Sequence, residues 1–317
     1  MSHNIVRYNI SIVVPAYNEE ESLNFFYKKL ILFLPPNYEI IFVDDGSDDR
    51  SCEVIQKIHQ GDARVKLIRL SRNMGHQIAL TAGLDYAEGD AVITMDADLQ
   101  HPPELIPKML KSWEEGYDII NMVKEKTVKR GRMKDLLAAL FYHIFNKISD
   151  IYVNPHASDF RLFDKRCVEA IRQVRDHQRF IRGFASWIGF KHLNIQYVAS
   201  ERHAGQPKYT LSKLFTLAAQ GFFSFTFFPL KFPIYAGLFI TGISLIHLFI
   251  FIVIPLYSGH ANAPQGWTTL VFLQTLFGGI NLIILGVMGI YLGQIFIETK
   301  KRPLYFVKDL IGFKSER

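Results

Sequence analysis

Two long stretches of the chain carry no formal charge, and they limit what it can fold into. Pro233–Leu256 and Thr268–Ile297 contain no Asp, Glu, Lys or Arg. Each exceeds the ~20 residues a helix needs to cross a hydrocarbon core, so both are expected to be transmembrane helices rather than buried core helices. The linker Tyr257–Trp267 holds Gly, Asn, Pro and one His but no Lys or Arg. Lys208, Lys213 and Lys231 precede the first run, and Lys300, Lys301, Arg302 and Lys308 follow the second. Positive residues collect on the cytoplasmic side, which predicts cytoplasmic ends (including a basic tail, 298–317) and an external loop at 257–267. His247 is the one ionisable residue within the runs, so no ion or proton path is expected. Leu214–Leu230 is uncharged and rich in Phe but also holds Thr216, Gln220, Ser224 and Thr226. It reads as a helix lying in the membrane interface within 209–232, with a third span as the alternative. Gly278, Gly279, Gly286, Gly289 and Gly293 would let such helices pack closely, which is compatible with a homo-oligomer.

Residues 1–208 mix charged and apolar positions as a globular domain does. The 49% hydrophobic content and mean hydropathy of +0.10 are therefore carried mainly by the C-terminal third. Met1–Asn9 is polar and leads into a strand without an apolar core, so no cleavable signal is expected. Two cysteines, Cys52 and Cys167, in unrelated contexts provide neither metal spacing nor a disulfide framework, as in a reducing compartment. Short apolar runs at Ile10–Pro15, Tyr38–Val43, Val65–Leu70 and Ala91–Met95 read as buried strands. Helical patterns begin near Glu20, Ser51, His76 and Pro103, with Asn18 and Glu21 as a capping box for the first. This alternation predicts an α/β domain with a mostly parallel, doubly wound sheet, whose ligands bind at the carboxyl ends of the strands.

Those strand ends are polar. Pro15-Ala16-Tyr17-Asn18-Glu19-Glu20 follows the first, Asp44-Asp45-Gly46-Ser47 the second, Ser71-Arg72-Asn73-Met74-Gly75 the third and Asp96-Ala97-Asp98-Leu99-Gln100-His101 the fourth. The Gly-rich dinucleotide fingerprint and the phosphate-binding Gly-Lys-Ser/Thr are absent, which disfavours those nucleotide folds. Asp48 and Asp49 read as solvated turn and cap residues. A turn after the fourth strand would aim Asp96, Asp98 and Gln100 at one point, an oxygen donor set suited to Mg²⁺ or Mn²⁺ rather than Zn²⁺. Such an ion would neutralise a diphosphate leaving group.

The runs Val13–Glu20, Val43–Ser47, Arg72–Gly75 and Asp96–Gln100 resemble the inverting GT-A glycosyltransferases of family 2. Ser158-Asp159-Phe160-Arg161-Leu162 and Arg202-His203-Ala204-Gly205-Gln206-Pro207-Lys208-Tyr209 are similar to its polyprenyl-phosphate branch, which includes dolichol-phosphate mannose synthase and the GtrB-type bacterial enzymes. The two C-terminal spans match the GtrB-type subgroup. The resemblance implies that Pro15, Tyr17, Glu19, Asp44, Asp45 and Asp96 bind the nucleotide sugar, and that Asp96, Asp98 and Gln100 bind the metal. It implies a catalytic role for Asp159 and contacts of Arg202 and Lys208 with a diphosphate or acceptor phosphate. Gln206-Pro207 departs from the small polar residue usual before that lysine.

The acceptor side also has a reading free of the family. Lys124, Lys126, Lys129, Arg130, Arg132 and Lys134 cluster, and Leu136, Leu137, Leu140, Phe141, Ile144, Phe145 and Ile148 follow at helical spacing. This is either a solvated loop before a core helix or a membrane-binding segment whose Arg130 and Arg132 meet a lipid phosphate. The net charge of +6 is then directed at anionic lipid and substrate, since no nucleic-acid motif is present. The expected activity is transfer of a hexose, glucose from UDP-glucose being favoured, to a polyprenyl phosphate at the cytoplasmic face of a bacterial inner membrane. Mannosyl and aminoarabinosyl transferases use similar motifs. A processive polysaccharide synthase is a rival, but Gln178-Arg179-Phe180-Ile181-Arg182 does not match its Gln-x-x-Arg-Trp. A non-enzymatic flippase is a second rival, disfavoured by the intact acidic constellation.

Overall fold

The computed structural model describes residues 8–125, 157–198 and 266–313, together with Tyr235, Phe239, Gly242, Ile246 and Tyr257. Described residues fall into two compact units. The first carries eight strands: β1 (Ile10–Ala16), β2 (Tyr38–Asp44), β3 (Val65–Leu70), β4 (Ala91–Thr94), β5 (Ile119–Lys124), β6 (Ala157–Asp164), β7 (His192–Tyr197) and β8 (Val307–Ile311). They form one sheet in the order β7-β5-β6-β4-β1-β2-β3-β8. β1 pairs in parallel with β2 and β4, β2 with β3, and β5 with β7, while β6 and β8 run antiparallel to their neighbours.

Every residue of β1 and β2 is buried, as a parallel sheet covered on both faces requires. One face is packed by α1 (Leu23–Leu30), α2 (Ser51–Gly61) and α4 (Ile106–Glu114), which contribute Phe26, Leu30, Ile55, Ile106 and Met109. The other is packed by α3 (His76–Tyr86), α5 (Lys165–Gln173) and α6 (Ile181–Trp187), through Leu80, Leu84, Val168, Ile171 and Ile181. Helix α3 is buried along most of its length and lies so close to the sheet that a Cβ on Gly83 would overlap the Val13 side chain.

The four expected strands form within a residue of their expected ends. The first helix differs. Asn18 has a φ of 54°, and its side chain accepts from Asp48 N at 3.0 Å instead of capping a helix. Helix α1 starts only at Leu23, with no side-chain cap bond from Ser22. Asp49 braces the turn before α2, accepting from Ser51 N at 2.9 Å and from Glu20 N at 3.2 Å.

The expected basic tail carries a strand that the sequence reading lacked. β8 lines the outer edge of β3, Tyr305 Oη donates to Asp85 at 2.8 Å, and Phe313 packs edge-on against Tyr86. The second unit holds one long described helix, α7 (Trp267–Thr299), which covers the second expected span. Within it, Leu276–Thr299 has a mean hydropathy of 2.1 and is long and apolar enough to cross a membrane. The first expected span, 233–256, and the interfacial segment, 209–232, lie outside the described residues, apart from helical Tyr235, Phe239, Gly242 and Ile246. Tyr257, at the start of the expected external loop, is also helical. The basic stretch from Lys126 and the apolar pattern to Ile148 also lie outside them.

Candidate active site

The carboxyl ends of β1, β2 and β4 converge through short polar turns. Register places Ala16 beside Asp44, and Asp45 N donates to Ala16 O at 2.9 Å. Pro15 is buried at this end of β1, and Tyr17 is half-buried just beyond it. Glu19 accepts from the Ser22 hydroxyl at 3.0 Å, and its own backbone N–H donates to Ser51 Oγ at 2.8 Å. Asp44 accepts from Ser47 N at 3.3 Å through one oxygen. Its other oxygen is buried without a hydrogen bond and lies 3.6 Å from Arg69 Nε. Asp45 accepts from Met74 N at 2.7 Å and Gly75 N at 2.9 Å, which fixes the turn before α3. Burial raises the pKa of both aspartates, partly offset by these donors.

The turn after β4 holds Asp96 and Asp98. His101, 1% exposed and stacked on Phe160, accepts from Asp96 N at 2.9 Å. Burial lowers the pKa of His101, in keeping with a neutral ring that accepts through Nδ1. Leu99 takes a φ of 61°, and Asp98 accepts from Gln100 N at 3.1 Å, so the chain folds back on itself here. Gln100 Oε1 accepts from Lys124 Nζ at 3.2 Å. One oxygen of Asp96 is buried without a hydrogen bond. Two carboxylates with such an oxygen fit a hard divalent cation, with Gln100 sharing its oxygen with Lys124. Among the described residues no group of three or more His, Cys, Asp or Glu side chains forms a metal cage. Two carboxylates completed by substrate phosphates would need none.

On the far side of this turn Asp159 projects from β6 and is 8% exposed. Arg182 forks onto it, with Nε at 2.8 Å from one oxygen and Nη2 at 2.9 Å from the other. His76 Nε2 lies 3.3 Å from Asp159 and 3.5 Å from Asp96, bridging the two carboxylates. Burial opposes a charge on His76, but the two carboxylates outweigh it and lift its pKa to about 9. Burial alone would raise Asp159, yet Arg182 and His76 hold it well below the ordinary carboxylate range.

The structure thus brings Pro15, Tyr17, Glu19, Asp44 and Asp45 together at one end of the sheet, and joins Asp96 to Asp159. Arg130, Arg132, Arg202 and Lys208 lie outside the described residues. Sequence reasoning missed His76, Gln77, His101 and Arg182 as site residues. His76 does follow directly on the third strand end, and Arg182 sits in a segment noted only for failing another motif.

A mostly parallel α/β sheet with acidic turns at its carboxyl edge is the frame of a glycosyltransferase. Residues 11–169 match the model of glycosyl transferase family 2, and the chain belongs to that family. It is 42% identical over 97% of its length to the glycosyltransferase YkcC of Bacillus subtilis, covering 95% of that relative. It is 39% identical over 95% of its length to the bactoprenol glucosyl transferase of Shigella phage SfV, covering 98% of it. Among solved structures, the glucosyl-3-phosphoglycerate synthase of Mycobacterium tuberculosis in complex with Mn²⁺, UDP and phosphoglyceric acid aligns with a TM-score of 0.47. It shares 18% identity, with 68% of this chain and 76% of that one covered.

Proposed function

We propose that this glycosyltransferase moves a hexosyl group, glucose from UDP-glucose, onto a polyprenyl phosphate with inversion at the anomeric carbon. The observation that carries this reading is the near full-length similarity to bactoprenol glucosyl transferases, which extends through the C-terminal third as well as the catalytic sheet. An oxygen of the lipid phosphate attacks the anomeric carbon. The bond from that carbon to the diphosphate breaks, and its electron pair leaves with the nucleoside diphosphate. The acceptor's second pKa is near ~6, so at neutral pH it arrives largely as a dianion.

Pro15, Tyr17, Glu19, Asp44 and Asp45 would hold the base and ribose; the Asp44 oxygen that lacks a hydrogen bond and the fixed turn at Met74–Gly75 support this. Mg²⁺ or Mn²⁺ held by Asp96, Asp98 and Gln100 would supply charge neutralisation at the departing diphosphate. Arg130 and Arg132 are assigned to the acceptor phosphate on the basic stretch that opens an apolar helical pattern, and Arg202 and Lys208 to the diphosphate or acceptor phosphate on the sequence resemblance.

For membrane topology, the pairing of β8 with β3 supports the two-span reading. A strand of the catalytic sheet lies on each side of the segment 209–302, which favours an even number of crossings for any spans between them. Together with the flanking lysines and arginines, this favours a cytoplasmic catalytic unit and disfavours a third span at 214–230.

The test uses the purified full chain in detergent with undecaprenyl phosphate, Mg²⁺ and a panel of labelled UDP- and GDP-sugars. Label from UDP-glucose is expected in the organic phase. Transfer from another donor would change the sugar, and no transfer from any donor would remove the proposal.

A further inference from the structure

Four N–H groups converge on the Asp159 carboxylate. Besides the Arg182 fork and the His76 ring nitrogen, Gln77 Nε2 lies 3.4 Å from it. A general base needs a lone pair directed at the proton it removes, and here both oxygens are already taken up by protein donors. The phosphate acceptor of the proposed reaction also has little need of a base. The arrangement around Arg182 is by contrast strongly fixed. Gln77 Oε1 accepts from Ile181 N at 3.0 Å, tying the start of α6 to the start of α3. The backbone carbonyl of Asp159 accepts from the Thr94 hydroxyl at 2.6 Å. The Arg182 side chain nonetheless keeps 30% of its surface exposed.

A second guanidinium lies close by. Arg161, two residues along β6 and 3% exposed, donates to the Ser158 carbonyl at 3.1 Å. Among the described residues that is its hydrogen bond, and no carboxylate pairs with it. Two guanidiniums therefore share the surroundings of the Asp159 carboxylate. Guanidinium charge fixed in this way suits an incoming oxyanion, and a planar fork suits phosphate better than a point charge does.

Resting on the proposed phosphate chemistry of this site, we propose that Arg182 binds a substrate phosphate and that Asp159 is its positioning residue, not a proton acceptor. The phosphate belongs either to the donor diphosphate or to the lipid, and the two arms of the test separate them.

Full-length Arg182→Gln, Arg182→Lys, Asp159→Asn and the double variant Asp159→Asn/Arg182→Gln are compared in detergent. UDP binding is measured by calorimetry, initial rates against UDP-glucose and against undecaprenyl phosphate, and thermal unfolding in parallel. Arg182→Gln is expected to lose about 10²-fold in kcat/KM, the usual effect of removing one oxyanion donor. Asp159→Asn should lose a similar factor, and the double variant should be little worse than either single. Arg182→Lys should recover part of the rate. Loss confined to UDP affinity assigns the donor diphosphate, and loss confined to the lipid KM assigns the acceptor.

Wild-type rates in Arg182→Gln would overturn the proposal. So would an Asp159→Asn defect far deeper than that of Arg182→Gln and additive with it, which is the signature of a proton acceptor. If Arg182→Gln fails to fold, Arg182→Lys decides, because unchanged kinetics there would exclude a fork on phosphate. Absence of lipid transfer by the wild type would remove the functional reading yet leave the UDP arm intact.

Discussion

Gly46 lies where the turn after β2 touches the turn before α3, and an added methyl group there has a calculable effect. Its φ is 69°, and a Cβ would sit 2.5 Å from the Arg72 carbonyl carbon, 2.6 Å from Asn73 N and 2.8 Å from Arg72 Cα. All three are backbone atoms, so no side-chain rotation relieves the contact. An alanine in left-handed backbone costs about 1 kcal/mol. Overpacking against a fixed neighbour adds about 1–3 kcal/mol. If the 72–75 segment shifts instead, the Asp45 bonds to Met74 N and Gly75 N lengthen, and charge-assisted bonds of this kind contribute about 1.5–3 kcal/mol each. The rigid route gives Gly46→Ala a loss of about 2–4 kcal/mol, a fall in melting temperature of roughly 5–15 °C. Full loss of both Asp45 bonds would cost more, about 3–6 kcal/mol, so the rigid figure is the expected one. Because His76 follows Gly75 directly, KM for the nucleotide sugar should rise as well. Gly61→Ala is the control: nothing lies within 4 Å of its added Cβ, it ends α2, and it should melt at or slightly above wild type. The assay is thermal unfolding of the full chain in detergent, with initial rates alongside. Gly46→Ala melting within a degree of wild type would refute the reasoning.

Asp62 accepts from Arg64, Tyr27 and Tyr38, and chiefly the Arg64 bond lowers its pKa from 3.8 to about 2. A lowered folded-state value means stability present above pH 4 and lost as pH falls toward 2. Half-exposed Arg64 is screened by solvent, so Asp62→Asn should cost about 1–2 kcal/mol at pH 7, with the gap in melting temperature closing below pH 4. Asp98→Asn should abolish lipid glycosylation without lowering the melting temperature, and EDTA should mimic it; activity of the variant in excess EDTA would end the metal assignment. A cysteine at Ser258 should label from outside intact cells and one at Ser315 should not; with the catalytic unit in the cytoplasm, labelling of Ser315 from outside would require a third span at 214–230. Arg130→Ala with Arg132→Ala should raise KM for polyprenyl phosphate and leave UDP affinity near normal, while unchanged lipid kinetics would make that stretch a solvated loop.

Strands β1 to β4 could be read from sequence because each is a short, largely apolar run ended by a polar turn, and burial on both faces leaves little else for such a run to do. The acidic half of the site was legible for the same reason. The basic half was not. His76 and Arg182 sit at the starts of helices, where local pattern explains them as ordinary polar positions, and their meaning comes only from Asp159 across the sheet. Asn18 misled because its cap-like spacing competed with a turn in which its side chain serves Asp48. Nothing local marks β8 as a strand, since its exposed Lys308, Asp309 and Leu310 do not alternate, and its partner Arg69 lies 240 residues from Asp309.

That distance fixes an order of events during synthesis. Residues 8–125 and 157–198 leave the ribosome first, but the edge of β3 must wait for Val307–Ile311 to cover it. Until then it is an uncovered row of amides and carbonyls, able to recruit a strand from another nascent chain. A truncation just after Thr299 would leave every residue of the proposed site in place and still expose that edge permanently. The expected phenotype is aggregation of a catalytically complete enzyme, so the final segment acts as a seal on a domain translated long before it.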